Sequence, residues 1–228
     1  MNRLRMYKHL ALLVAILAMI AIYPVLREHG DSWLLMNVLI TAVFLAGGWV
    51  VFSDRVFRAV GTILAIPTLL GIWIGYTVEG LSDVQGLTAF HISAATYELL
   101  VAVVLIRTVM RQDTVTADAI SGALCGYLLI GLAFGHGYCL LEVMSPGMFT
   151  GVAELDPDQQ HFLLTYFSFI TLTTVGYGDI TPTGGPARSV SMVEAVLGQF
   201  YLAVLIAGLV GKWLVQPSPT VPPSPPTG

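Results

Sequence analysis

Thr171-Leu172-Thr173-Thr174-Val175-Gly176-Tyr177-Gly178-Asp179 is the stretch on which the reading of this 228-residue chain turns. Just upstream, residues 157–173 form an apolar run dotted with Thr165, Ser168, Thr171 and Thr173. The run opens like a helix: Asp156 suits the cap, Pro157 the first turn, and Gln159 the capping-box position that takes Glu or Gln. It is short for a membrane crossing, which takes about 20 apolar residues, and it stops at glycine-containing backbone. Irregular backbone at membrane depth is tolerated only where protein or a water-filled cavity surrounds it. The pattern predicts a re-entrant loop.

Six longer apolar runs flank this segment, at 10–26, 33–52, 56–78, 89–110, 115–141 and 190–214. Hydrophobic residues make up 56% of the chain and charged ones 11%, against roughly 25% charged in ordinary soluble domains. The expected fold is an all-α membrane protein of six transmembrane helices, with the re-entrant helix between the fifth and sixth. A net charge of −4 gives no signal for nucleic acid. Placement of charge is more telling. With a cytoplasmic N-terminus, Arg3, Arg5, Lys8, Arg55, Arg58, Arg107, Arg111 and Lys212 fall inside and only Arg27 and Arg188 outside, as the positive-inside rule asks. Both termini are then cytoplasmic and the Gly176 loop lies near the outer face. Outside, acids collect instead: Glu28, Asp31, Glu79, Asp83, Glu142, Glu154, Asp156 and Asp158. The first run also has the look of a secretory signal, but no small-x-small cleavage site follows it, and a retained helix is the expectation. Cys125 and Cys139 lie about 21 Å apart along one helix, too far to pair.

The nine residues quoted resemble the signature of the potassium channels, and the reading that follows is what this resemblance implies. A glycine-rich turn spelling the same string by chance is the competing reading, and the capped short helix before it and the apolar runs on both sides weigh against that. A dehydrating potassium ion needs oxygens in place of its water, and rings of backbone carbonyls from four loops supply them. The ligands would be the carbonyls of Thr174, Val175, Gly176 and Tyr177, with the Thr174 hydroxyl at the inner mouth. Gly176 and Gly178 supply backbone angles that a β-carbon forbids. Val175 and Tyr177 would pack behind this filter and set its diameter. One such strand per chain implies a homotetramer, each chain with three identical partners, in the cell membrane of a prokaryote. No resident cofactor is implied beyond the potassium ions in transit.

Relatives place a tryptophan thirteen residues before the filter aspartate, and here that position is Tyr166, whose hydroxyl is able to bond Asp179. Phe167 offers no donor to Tyr177, and Ile170 stands where the simplest bacterial channels carry a glutamate partner for Asp179. With fewer bonds behind it, the filter is expected to inactivate slowly. Glu142, ending the fifth helix, matches a glutamate that in voltage-gated relatives bonds backbone amides just beyond the filter; a solvated helix end is the alternative. Gly198 lies nineteen residues past Asp179, where many relatives place the hinge of the inner helix. Close packing against the glycines of the fifth helix (Gly122, Gly126, Gly131 and Gly135) explains it equally. In that register Gln199, Leu202 and Ile206 face a central cavity and Val210 the inner mouth, where apolar rings close a pore by dewetting. Glu194 is expected to bond the pore helix or to tune cavity charge.

Residues 1–112 form a four-helix membrane domain, 113–215 the pore domain and 216–228 a Pro-rich, extended cytoplasmic tail whose partner is unknown. The six-span layout is similar to the voltage-gated and cyclic-nucleotide-gated superfamily. The fourth span, however, carries only Arg107 and Arg111, both at its cytoplasmic end, and an internal acid, Glu98, expected to face protein with Tyr or Ser partners. Pro67 should kink the third span. His91 and His136 lie toward the outer side, as external pH reporters or, more simply, as packed neutral rings. Only sixteen residues follow Lys212, so gating is expected to act through the membrane part. The rival readings are a weakly selective monovalent cation channel and a membrane ligand or lipid sensor with the pore as output. An enzyme is not expected, since no cluster has metal-ligand or nucleophile–base spacing. Because each gating charge is worth about 2.3 kcal/mol per 100 mV, a chain without interior arginines should show shallow voltage dependence. A voltage-clamp series is expected to return an effective gating charge well below that of a sensor with several arginines.

Overall fold

The computed structural model describes residues 8–28, 33–51, 55–74, 84–112 and 114–215. The tail 216–228, Arg3, Arg5, Asp31, Glu79 and Asp83 lie outside the described residues, as do the side chains of Arg27, Glu28, Arg55, Arg58 and Ile206. The described residues are helical apart from short connections and one isolated bridge between Phe149 and Pro182. In order they form α1 (Lys8–Glu28), α2 (Trp33–Val51), α3 (Arg55–Ile74), α4 (Val84–Met110), α5 (Ala117–Met144), α6 (Pro157–Leu172) and α7 (Gly185–Phe200). A π-helical segment, Tyr201–Ile206, then joins α7 without a break to α8 (Ala207–Val215). Among the described residues three helices are long and apolar enough to cross a membrane: α4, α5 and the continuous Gly185–Val215. The apolar parts of the leading helices, Lys8–Tyr23, Asn37–Gly48 and Ala59–Trp73, are shorter. Pro67 lies inside α3, which runs on past it.

Local chemistry sets the helix starts. Thr116 caps α5 by accepting from Ala119 N at 3.1 Å. Asp156 caps α6 by accepting from Asp158 N and Gln159 N at 3.1 and 2.9 Å. The last long helix begins at Gly185, five residues before its apolar run, because Pro186 falls in its first turn, where a missing N–H costs nothing.

Packing is organised around α5. Its buried residues Cys125, Leu129 and Leu132 share one apolar core with Leu12 and Ile16 of α1, Val43 and Phe44 of α2, and Tyr97, Val101 and Leu105 of α4. Polar ties reinforce this bundle. His9 N donates to the Asp118 carboxylate at 2.9 Å, joining the start of α1 to the start of α5. Tyr97 Oη donates to Phe44 O at 2.6 Å, and Asn37 Nδ2 to Ile72 O at 3.0 Å. Cys125 and Cys139 are buried free thiols.

The small residues on α5 receive other partners than the inner helix alone. A β-carbon at Gly131 would stand 2.6 Å from Phe169, and one at Gly135 2.8 Å from Thr165, both on α6. One at Gly126 would meet the Tyr201 hydroxyl at 2.9 Å. Gly198 packs on α6 rather than α5, its missing β-carbon falling 2.2 Å from Leu172 O. Close approach therefore accounts for Gly198, and the departure from α-helical geometry comes three residues later, in the π-segment. Such segments mark places where a helix yields. Replacing Gly198 with alanine forces this contact apart and should cost about 1–3 kcal/mol. Gly211, with nothing within 4 Å of its β-carbon position, is the control. In reversible unfolding in mixed micelles G198A should unfold earlier and G211A should not.

Candidate functional site

The signature stretch leaves the C-terminus of α6, and that terminus is held from two sides. Tyr127 Oη on α5 donates to Leu172 O at 3.0 Å, and Gly198 presses on the same carbonyl. The chain then folds its amides back. Thr174 N donates to Thr171 O at 2.9 Å, and Val175 N and Gly176 N both donate to Ile170 O, at 2.9 and 3.2 Å. In a trans peptide the carbonyl points opposite to the N–H of the next residue. With the amides of Val175 and Gly176 aimed at α6, the carbonyls of Thr174 and Val175 point away from it. Backbone φ is positive at every second residue, +61° at Thr174, +55° at Gly176 and +79° at Gly178, and alternation of this kind turns successive peptides to a common side. Among the described residues no hydrogen bond ends on the carbonyl of Thr174, Val175, Gly176 or Tyr177. The result is a row of exposed, unpaired acceptors. Glycine takes positive φ freely, whereas Thr174 holds it at a cost of about 1–2 kcal/mol.

Side chains pin the two ends of this row. Tyr166 Oη donates to the Asp179 carboxylate at 2.8 Å, and Gln199 Nε2 donates to Thr174 Oγ1 at 3.2 Å. Within one chain Val175 and Tyr177 are not packed behind the loop: they are 51% and 71% exposed. Among the described residues little covers the Tyr177 side chain. Phe167 is buried in a cluster of edge-to-face rings with Tyr138 and Phe149, centroids 5.1–5.3 Å apart. Leu202 and Val210 are exposed on the last helix, and the Ile206 side chain lies outside the described residues.

Glu142 binds amides of the loop after its own helix, not of the segment after the signature. Gly147 N and Met148 N donate to it at 2.5 and 3.0 Å. That loop then holds the segment beyond Asp179: Thr183 N donates to Met148 O at 2.9 Å, Thr150 N to Thr181 O at 3.0 Å, and Thr181 N to Thr150 Oγ1 at 2.9 Å. Glu142 thus supports the far side of the loop through one intermediary. Glu194, fully buried, joins α7 to α6 and α5. The Ser168 hydroxyl lies 2.5 Å from its Oε1 and 2.6 Å from Gly131 O, and Tyr138 Oη donates to its Oε2.

Sequence reasoning missed Tyr127, Tyr138 and Ser168 as members of this framework. Tyr127 and Tyr138 are eleven residues apart, three turns of one helix and hence the same face, which was the available signal. Glu98 is buried as expected, but its neighbour is His136 Nε2 at 3.7 Å rather than Tyr or Ser. His91 and His136 are buried and their Nδ1 atoms lie 3.0 Å apart. Among the described residues no group of His, Cys, Asp and Glu is arranged to hold a metal.

Residues 126–216 match the sequence model of a family described as "Ion channel". Protein LctB of Bacillus caldotenax is 32% identical over 120 residues, covering 50% of this chain and 89% of that protein. Two pore potassium channel c of Oryza sativa subsp. japonica is 36% identical over 87 residues, 38% of this chain and 17% of that protein. No solved structure matches.

Hydrogen bonds to a charged group are worth about 1.5–3 kcal/mol. Removing the Glu142 carboxyl strands two amides, so E142A should lower unfolding stability by roughly that amount or more, and E142Q by less. An E142Q variant as unstable as E142A would contradict the role of the carboxyl oxygens as acceptors.

Proposed function

This chain belongs to the ion channel family, a channel and not an enzyme, and from that premise we propose that four copies enclose a potassium-selective pore lined by the carbonyls of Thr174, Val175, Gly176 and Tyr177. The observation that carries this reading is the row of backbone acceptors without partners, in a chain whose long helices are built for lipid. Each unpaired backbone group away from water costs free energy, and a monovalent cation stripped of its water has the complementary need. The Thr174 hydroxyl adds an oxygen at the inner end, where Gln199 holds it.

Six spans follow if α1, α2, α3, α4, α5 and the Gly185–Val215 helix all cross. In this reading α6 is re-entrant: its 16 residues reach about 24 Å, short of the roughly 30 Å hydrocarbon core. Its C-terminus then brings the partial negative charge of the helix to mid-membrane, which favours a cation there. Neighbouring copies supply what a single chain leaves open. Tyr177 and Val175 need cover, and in its most apolar stretch the last long helix has 24% of its residues buried, against 56% in that of α5. The words potassium channel in the name of the rice protein agree with the intact Gly-Tyr-Gly of this chain.

Reconstituted in planar bilayers, the protein should show a reversal potential that follows potassium and ignores exchange of sodium for an impermeant cation. A reversal potential that tracks sodium equally would favour the weakly selective reading. Y166F, which removes the donor to Asp179 and little else, should shorten the conducting bursts severalfold and leave selectivity in place.

A further inference from the structure

Between the leading helices and α6 lies a cavity of about 270 Å³. Its walls are almost wholly apolar, with Met19, Val43, Phe44, Phe162 and Phe169 among them. Polar side chains also reach it, His136, His161, Tyr23, Tyr97 and Tyr166 among them, and on two further residues a buried atom is left without a partner. Glu98 lines the cavity, is 2% exposed, and its Oε2 has no hydrogen-bond partner; Thr165, also on the wall, has a buried Oγ1 without a partner. The rest of the polar surroundings does not answer this need. His136 Nε2 stands 3.7 Å from Glu98 Oε1, beyond hydrogen-bonding reach, and the His136 Nδ1 is engaged with His91. A buried carboxyl oxygen left unpaired is among the costlier defects a protein carries. Its place on the wall of an apolar cavity far larger than a single water calls for a ligand.

We propose that this cavity is a binding site for a small lipophilic amine, its ammonium donating to Glu98 Oε2 and its apolar body lying against the aromatic and aliphatic wall. An ammonium head donates to the Glu98 carboxyl and supplies its counter-charge, and the Thr165 hydroxyl, which both donates and accepts, fits beside it; a carboxylate head would face an ionised Glu98 with like charge. Lipophilic pockets that hold their ligands by a few placed polar groups are the usual design of small-molecule sites. The site is one side chain from the signature loop, since Tyr166 lines the same cavity and donates to Asp179. Occupancy therefore bears on the loop if the channel reading holds, while binding itself does not depend on it.

The test uses 4-phenylbutylamine, with 4-phenylbutanol and 4-phenylbutyrate as heads of different charge on the same body. Equilibrium binding to the full chain in lipid nanodiscs is measured against empty nanodiscs. Saturable binding near one amine per chain is expected, with the alcohol weaker and the carboxylate absent. E98Q should lower amine affinity at least tenfold and bring it to that of the alcohol. Gly47 also lines the cavity, and a β-carbon there meets nothing closer than 3.9 Å. G47L should therefore fill the space and weaken both amine and alcohol, and it carries the test should E98Q fail to fold. Carboxylate binding equal to amine binding, amine affinity unchanged in E98Q or in G47L, or no saturable binding at all would overturn the proposal. None of these outcomes depends on conduction, so failure here is distinct from failure of the channel reading.

Discussion

A short stretch of backbone that makes no bonds through its own carbonyls must be held in shape by everything around it. That constraint organises this protein. The stretch from Thr174 to Tyr177 gives its amides to the end of α6 and leaves its oxygens unpaired, so its conformation rests on anchors at both ends. Gln199 and Tyr166 act directly, through Thr174 and Asp179. Tyr127 and Gly198 act one step back by fixing the Leu172 carbonyl from which the stretch departs. Glu194 and Glu142 act further back, one locking α7 to α6 and α5 and the other holding the loop that pairs with residues 181–183.

The anchors come from three helices, and α5 ties them to the rest of the molecule. The face of α5 that carries Gly131 and Gly135 receives α6, while Leu129 and Leu132 share a core with α1, α2 and α4. The leading helices are thus packed on the same element that grips α6, and they have no separate core of their own among the described residues. A second link runs at the opposite end, where Lys212 Nζ on α8 donates to Met110 O and Gln112 O at 2.6 and 2.9 Å. The π-segment between α7 and α8 lies between this link and Gly198. Lys212, together with the core shared by Val109, Leu205 and Leu209, ties the end of α4 to the last helix.

Much of this was open to sequence reasoning because it rests on local rules. Asp156 and Pro157 mark the start of α6 through capping chemistry, and the apolar runs mark α4 and α5 through composition. Tyr166 and Asp179 were paired by the resemblance, Tyr166 standing where relatives carry a tryptophan that bonds the aspartate. Other features were less open for a physical reason. Gly198 read equally well as a hinge or as a packing site, since a glycine announces a need for space or for freedom without saying which. The positive φ of Thr174 has no local signature, because threonine is a poor choice for it and only the surrounding bonds enforce it. Glu142 was expected beyond the signature and instead reaches its own loop, a choice made by the path of residues 145–149.

The amino-acid order alone determined an all-helical membrane protein, a short capped helix, and a glycine-punctuated loop after it. These depend on periodicity, capping and backbone freedom, which act over a few residues. Only the tertiary structure decided which groups meet across the chain: Glu194 with Ser168 and Tyr138, Glu98 with a histidine and an open cavity, Gly198 with Leu172 O. Buried polar groups must be satisfied by whatever the fold brings within about 3 Å, and sequence separation carries no information about that distance.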